Sequence, residues 1–134
     1  MTKERRRYFS YLGLSLVCLG VFTMGCDRTD IEITPGVSLE LAGHRKATIQ
    51  DLQYHVRLVV PEERTTAIEG SNEISFQLSD ASEPLILDFN TSANHVKAVK
   101  VDDDTVDHVF QNGHVVIPAA VLKAGENRVS VHFV

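Results

Sequence analysis

From Leu52 to Val60 the chain alternates with a period of two. Leu52, Tyr54, Val56, Leu58 and Val60 are apolar, and Gln53, His55 and Arg57 stand between them. A helix would bring apolar residues back every three or four positions, so this spacing predicts a half-buried strand. Pro61 cannot donate to a ladder and closes it. The same period returns from Ala67 to Leu78, where Ile68, Ile74, Phe76 and Leu78 oppose Glu69, Ser71, Glu73, Ser75 and Gln77. Gly70 falls on the apolar side of that strand and reads as a bulge. Shorter strands are predicted at Leu85–Phe89, His95–Val101, Thr105–Phe110, His114–Ile117 and Arg128–Val134. The pair Asn112-Gly113 tolerates positive φ at both positions and predicts a type I′ hairpin. Asp102-Asp103-Asp104 reads as a second turn, because three adjacent like charges suit a solvated turn better than a strand. The one helical stretch after the N-terminal region is Val37–Arg45, with Ser38 as N-cap and Gly43 as a stop. About seven short strands with frequent turns describe an all-β protein, an antiparallel β-sandwich or open saddle.

Ahead of this lies a different kind of segment. Lys3, Arg5, Arg6 and Arg7 precede an apolar run from Leu12 to Phe22. A bilayer span needs about 20 apolar residues, so this run is too short and reads as the helix of an export signal. Gly25-Cys26 supplies a small residue before the cut and a thiol for a diacylglycerol. Residues 1–25 are therefore read as a lipoprotein-type signal peptide, Cys26 as the lipidation site, 26–36 as a tether and 37–134 as the folded domain. Thr23 and Met24 depart from the usual lipoprotein box. An ordinary cleaved signal and an uncleaved anchor stay open as alternatives. The expected location is the bacterial cell envelope, on its periplasmic or surface face, with the lipid as the membrane contact.

Charge and residue chemistry exclude several functions. The chain carries 13 basic and 18 acidic residues, and beyond residue 25 the count is nine against 17, a net charge of −8. An acidic domain has no electrostatic footprint for nucleic acid. With Cys18 in the signal and Cys26 capped, no internal disulfide, thiolate metal site or Cys-x-x-Cys redox pair can form. The six histidines, at 44, 55, 95, 108, 114 and 132, show no ligand spacing and read as scattered surface residues. The three consecutive aspartates lack the spaced acids, central Gly and closing Glu of a calcium loop. Asn90-Thr91-Ser92 matches a glycosylation sequon by chance. No serine-nucleophile signature, phosphate-binding Gly-rich loop or apolar carboxylate pair occurs. By itself the chain offers no active site.

One set of motifs is more specific. Leu39-Glu40-Leu41-Ala42 and Arg45 precede Ile49-Gln50-Asp51-Leu52-Gln53-Tyr54. Glu69-Gly70-Ser71 opens the next strand, then come Leu85-Ile86-Leu87-Asp88-Phe89 and the Val96–Val101 strand. Leu122, Gly125, Asn127, Val129, Val131 and Phe133 close the series. In order and spacing, residues 37–134 resemble the start of the N-terminal domain of aminopeptidase N-type zinc metallopeptidases. The resemblance implies a saddle-shaped β domain against a thermolysin-like catalytic domain. That family takes zinc from a His-Glu-x-x-His helix and a later Glu, and holds the substrate amine with Gly-x-Met-x-Asn. None of these motifs is present, so the resemblance carries over no catalytic, metal or substrate-binding residue and no cofactor. Zinc is expected in a catalytic domain that would follow in the same polypeptide. The expected role is a non-catalytic scaffold of an exported, lipid-anchored aminopeptidase, and the chain reads as a truncated frame or gene fragment. The alternative is a free-standing β-sandwich lipoprotein that binds a carbohydrate or protein partner.

Overall fold

A computed structural model describes residues 31–134. One helix precedes eight strands: α1 (Leu39–Thr48), β1 (Ile49–Val59), β2 (Glu69–Leu78), β3 (Leu85–Asp88), β4 (Val96–Val101), β5 (Asp104–Thr105), β6 (Val109–Gln111), β7 (His114–Ile117) and β8 (Gly125–Phe133). They form a five-stranded sheet in the order β1-β2-β8-β4-β5 and a three-stranded sheet in the order β3-β7-β6. Every pairing is antiparallel. The all-β sandwich architecture expected from the alternation is present.

The core lies between the sheets. Ile74, Phe76 and Leu78 from β2, Val99 and Val101 from β4, and Val129 and Val131 from β8 meet Leu85, Val115 and Ile117 of the small sheet. Phe89 packs edge-on against Phe110 and Phe133, with ring centroids 6.4 and 5.9 Å apart. Such offset geometries are favoured between aromatic rings.

Four local expectations change. The helix runs through Gly43 to Thr48. Ser38 caps its start by accepting from the Leu41 amide at 3.1 Å. It stops where Ile49 begins to pair with Leu78 of β2. The predicted strand 105–110 is two strands, β5 and β6, because the chain leaves the large sheet at residues 106–108 and enters the small one. Gly70 is not a bulge: its register with Leu58 on one side and Phe133 on the other is continuous. The bulge is in β1, where the register shifts between Gln50 and Gln53 and Asp51 takes φ 51°.

The fourth change concerns β1 as a whole. It is an outer strand of the large sheet and is exposed along nearly its whole length. Tyr54 and Leu58 pair with Ile74 and Gly70, so the apolar side chains of β1 share the inner face of the sheet. Yet Leu52, Tyr54, Val56, Leu58 and Val60 remain 46–69% exposed. Alternation marks a strand with one apolar face; it does not supply a second layer to cover that face. Here the three-stranded sheet is too narrow to reach β1.

Candidate functional site

The mismatch in sheet width creates a groove. It runs between the inner face of β1–β2 and β3, the neighbouring edge of the small sheet, with a volume of about 380 Å³. Leu52, Tyr54, Ile74 and Phe76 supply one side, and Leu85 to Asp88 the other. Ile49 joins the apolar side only because the Asp51 bulge changes the parity of the strand. Ile49 and Leu52 are an odd number of residues apart, and both line the groove. Asn72 interrupts this apolar wall between Val56 and Val131. Its Oδ1 is buried and has no hydrogen-bond partner.

The end of the groove nearest α1 is polar and highly organised. Leu41 is buried on α1 and fixes the helix, which brings Arg45 to β3. Arg45 donates to both carboxylate oxygens of Asp88, at 3.0 and 2.7 Å, and to the Ile86 carbonyl at 2.7 Å. A bidentate guanidinium–carboxylate pair is among the stronger charge-assisted contacts. Behind it, the Nε2 of His114 stands 3.2 Å from Asp88 Oδ1. His114 is 2% exposed, and its Nδ1 has no partner. The Arg45 hydrogen bonds hold the Asp88 carboxyl below its ordinary range against the opposing effect of burial, and the charges of Arg45 and His114 add to the lowering. This cluster is a fixed support: its carboxylate is already engaged from two sides, by Arg45 and by His114, and neither is a hydroxyl or thiol that could act as a nucleophile.

Each residue singled out from the sequence has a definite place or lies outside the described residues. Cys26, the signal segment and the first five residues of the tether fall in the latter group. His114 corrects the expectation of scattered surface histidines. It lies on β7, the middle strand of the small sheet, where neighbours flank it on both sides. Of the expected Asp102-Asp103-Asp104 turn, Asp102 and Asp103 form the turn, both with positive φ, whereas Asp104 already pairs with Val101 in β5. They do more than face solvent: Asp102 pairs with Lys123 and accepts from the Arg128 amide, and Asp103 pairs with Arg128. The Lys123 hydrogen bond is the main cause of a lowered Asp102 carboxyl. Among the described residues no group of three or more His, Cys, Asp or Glu could hold a metal ion. Nor, among them, is any helix long and apolar enough to cross a membrane.

Asn72 escaped the sequence reading, and Asn127 entered it only as one position of the closing motif. Asn72 occupies an inward position of an alternating strand, which is a legible signal for a polar group on an apolar face. Asn127 is 1% exposed and ties three backbone groups of the connector before β8. It accepts from the Lys123 amide and donates to the Lys123 and Gly125 carbonyls. Comparison with models of known protein families, with curated proteins and with solved structures gives no match.

Proposed function

We propose that residues 37–134 are a non-catalytic scaffold domain, the N-terminal part of an exported, lipid-anchored zinc aminopeptidase. The observation that carries this proposal is the uncovered apolar face of β1. A five-stranded sheet opposed by three strands leaves an apolar stripe beside a groove, and a stripe of that kind marks a contact surface. A following domain would supply the missing layer. The reaction, hydrolysis of the first peptide bond of a peptide, would belong to that domain. The residues here would hold one wall in place through the Arg45–Asp88–His114 support and the inter-sheet core. Cys26 would carry the diacylglycerol that keeps the assembly at the membrane.

Sequencing the reading frame beyond codon 134 tests the scaffold role. The expected result is a continuing frame with Gly-x-Met-x-Asn and His-Glu-x-x-His. A stop codon there, with a purified chain that is stable alone, overturns it. The intact mass of membrane-extracted protein tests the anchor independently, and the expected species is 26–134 plus acyl chains. The groove of about 380 Å³ supports a second reading, a free-standing surface lipoprotein with its own carbohydrate or protein partner. A volume of that order lies within the range of small-molecule sites. Under this reading the chain binds such a partner with no further domain present, and a glycan or protein array read with the full chain would register it.

A further inference from the structure

The tether joins the sandwich at one end. Asn112, in the β6–β7 turn, donates to the Ile33 carbonyl at 2.7 Å. The next residue, Gly113, accepts from the Phe89 amide at 2.8 Å. The Phe89 ring packs against Phe133. Phe133 is paired with Gly70 of β2, and Gly70 with Leu58 of β1. Leu58, Gly70, Phe133, Phe89 and Gly113 therefore form one row across both sheets. The connection from β1 to β2, residues 60–68, lies just beyond that row. The helix α1 leaves this end and finishes at the other, where the Thr48 carbonyl accepts from the Ser79 amide at 2.9 Å.

The tether end is apolar at its surface. Val59, Val60 and Ile68, at the two feet of the β1–β2 connection, are 49–69% exposed. Val37 and Leu39, four and six residues beyond Ile33, are exposed as well, Leu39 at 91%. At the opposite end, among the described residues of the loop 79–84, the turn at Asp102 and the connector 118–124, Val121 is the one large exposed apolar side chain.

We propose that the tether end is a membrane contact: with Cys26 lipidated, Val59, Val60 and Ile68, together with Val37 and Leu39, rest in the headgroup layer of the bilayer. The length of the tether selects this occupant. Seven residues lead from Cys26 to Ile33, and fully extended they span at most about 25 Å. A small domain is about 30 Å across. The anchor thus holds the Asn112 turn and its neighbours close to the lipid, whereas the opposite end, a domain's length away, is out of reach. Apolar side chains scattered singly need no explanation, but a group of them at the end an anchor holds to a bilayer fits a lipid surface. The tip of the connection is Glu62-Glu63-Arg64, so the contact is shallow and stays at the level of the headgroups. Acidic residues outnumber basic ones 17 to nine beyond residue 25, which suits zwitterionic lipid better than anionic. The contact rests on the lipid anchor proposed above and not on the scaffold role.

The chain contains no Trp, so a single introduced one reports its own surroundings. Full chains carrying Val60→Trp, Ile68→Trp or Ala124→Trp are extracted in lipidated form and reconstituted in phosphatidylcholine vesicles, with brominated phosphatidylcholine as the quencher. Ala124 is exposed and lies at the opposite end. Quenching is expected to be about threefold stronger, or more, at Val60 and Ile68 than at Ala124, and circular dichroism checks that each variant is folded. Equal quenching at the three positions overturns the proposal, as does its absence at Val60 and Ile68. Blue-shifted but unquenched fluorescence at those two positions means a protein cover in place of lipid, and also overturns it. Flotation with the vesicles separates the two ways of failing. A chain that does not float has no anchor and removes the premise; a chain that floats without quenching keeps the anchor and loses the contact.

Discussion

Asn127 shows how much one buried side chain can hold. Its amide satisfies three backbone groups in the connector that leads into β8, the central strand of the large sheet. Each such bond is worth about 1 kcal/mol, and a buried group left unpaired costs more. Asn127→Ala is therefore expected to lower stability by about 3 kcal/mol, read as a fall in the urea midpoint at constant slope. The Asp88 carboxylate carries a pH signature. Its folded value lies below its ordinary one, chiefly through Arg45. The cluster thus stabilises the fold above the unfolded value of about 4, and the contribution is lost as pH falls through the folded value. Asp88 is 48% exposed, so solvent screening keeps the effect modest. Thermal melts from pH 7 to 2 should show Asp88→Asn with a lower midpoint at neutral pH and a flatter acid limb; superimposable curves would refute the role given to Arg45.

At the scale of elements, the bulge that the sequence suggested at Gly70 lies instead at Asp51. A Cβ added at Gly70 would stand 2.4 Å from Cε2 and Cζ of Phe133 and 2.9 Å from Cδ2 of Leu58. The glycine is there because an aromatic ring from β8 lies across it. Overpacking of this kind costs about 1–3 kcal/mol, so Gly70→Ala should destabilise by that amount. In Phe133→Leu, where the ring is gone, the same change should cost less, and a double-mutant cycle measures the difference. Asp51 holds a conformation that glycine enters without strain. Asp51→Gly should be neutral or raise stability by up to about 1 kcal/mol, whereas Asp51→Val should lower it by about 1–2 kcal/mol. Neither position could be assigned from spacing. A lone glycine in a strand signals either a bulge or a close approach, and only the register of three strands separates the two.

For the whole molecule, the decisive quantity is the difference in width between the sheets. It leaves β1 with an apolar face and no cover, and it opens the groove beside β3. The uncovered face should bind an environment-sensitive hydrophobic dye. Val56→Lys and Leu52→Glu are each expected to reduce that fluorescence several-fold. Because both positions are already half exposed, stability should stay within about 0.5 kcal/mol. A dye signal that survives both changes would mean that the exposed stripe does not behave as one surface.

The all-β class, the Ser38 cap, the Asn112-Gly113 turn and the apolar side of every major strand follow from local chemistry. Alternation, capping and tolerance of positive φ act between residues that are near neighbours in the chain, so they are written in it directly. Which strands face a second layer, why His114 is buried, how Arg45 reaches Asp88 43 residues away and which sheet edge is left open are decided only by the packing of the sheets. Those outcomes depend on how many strands each sheet receives and where the chain crosses between them. Such a count is a property of the assembled layers and of no single segment.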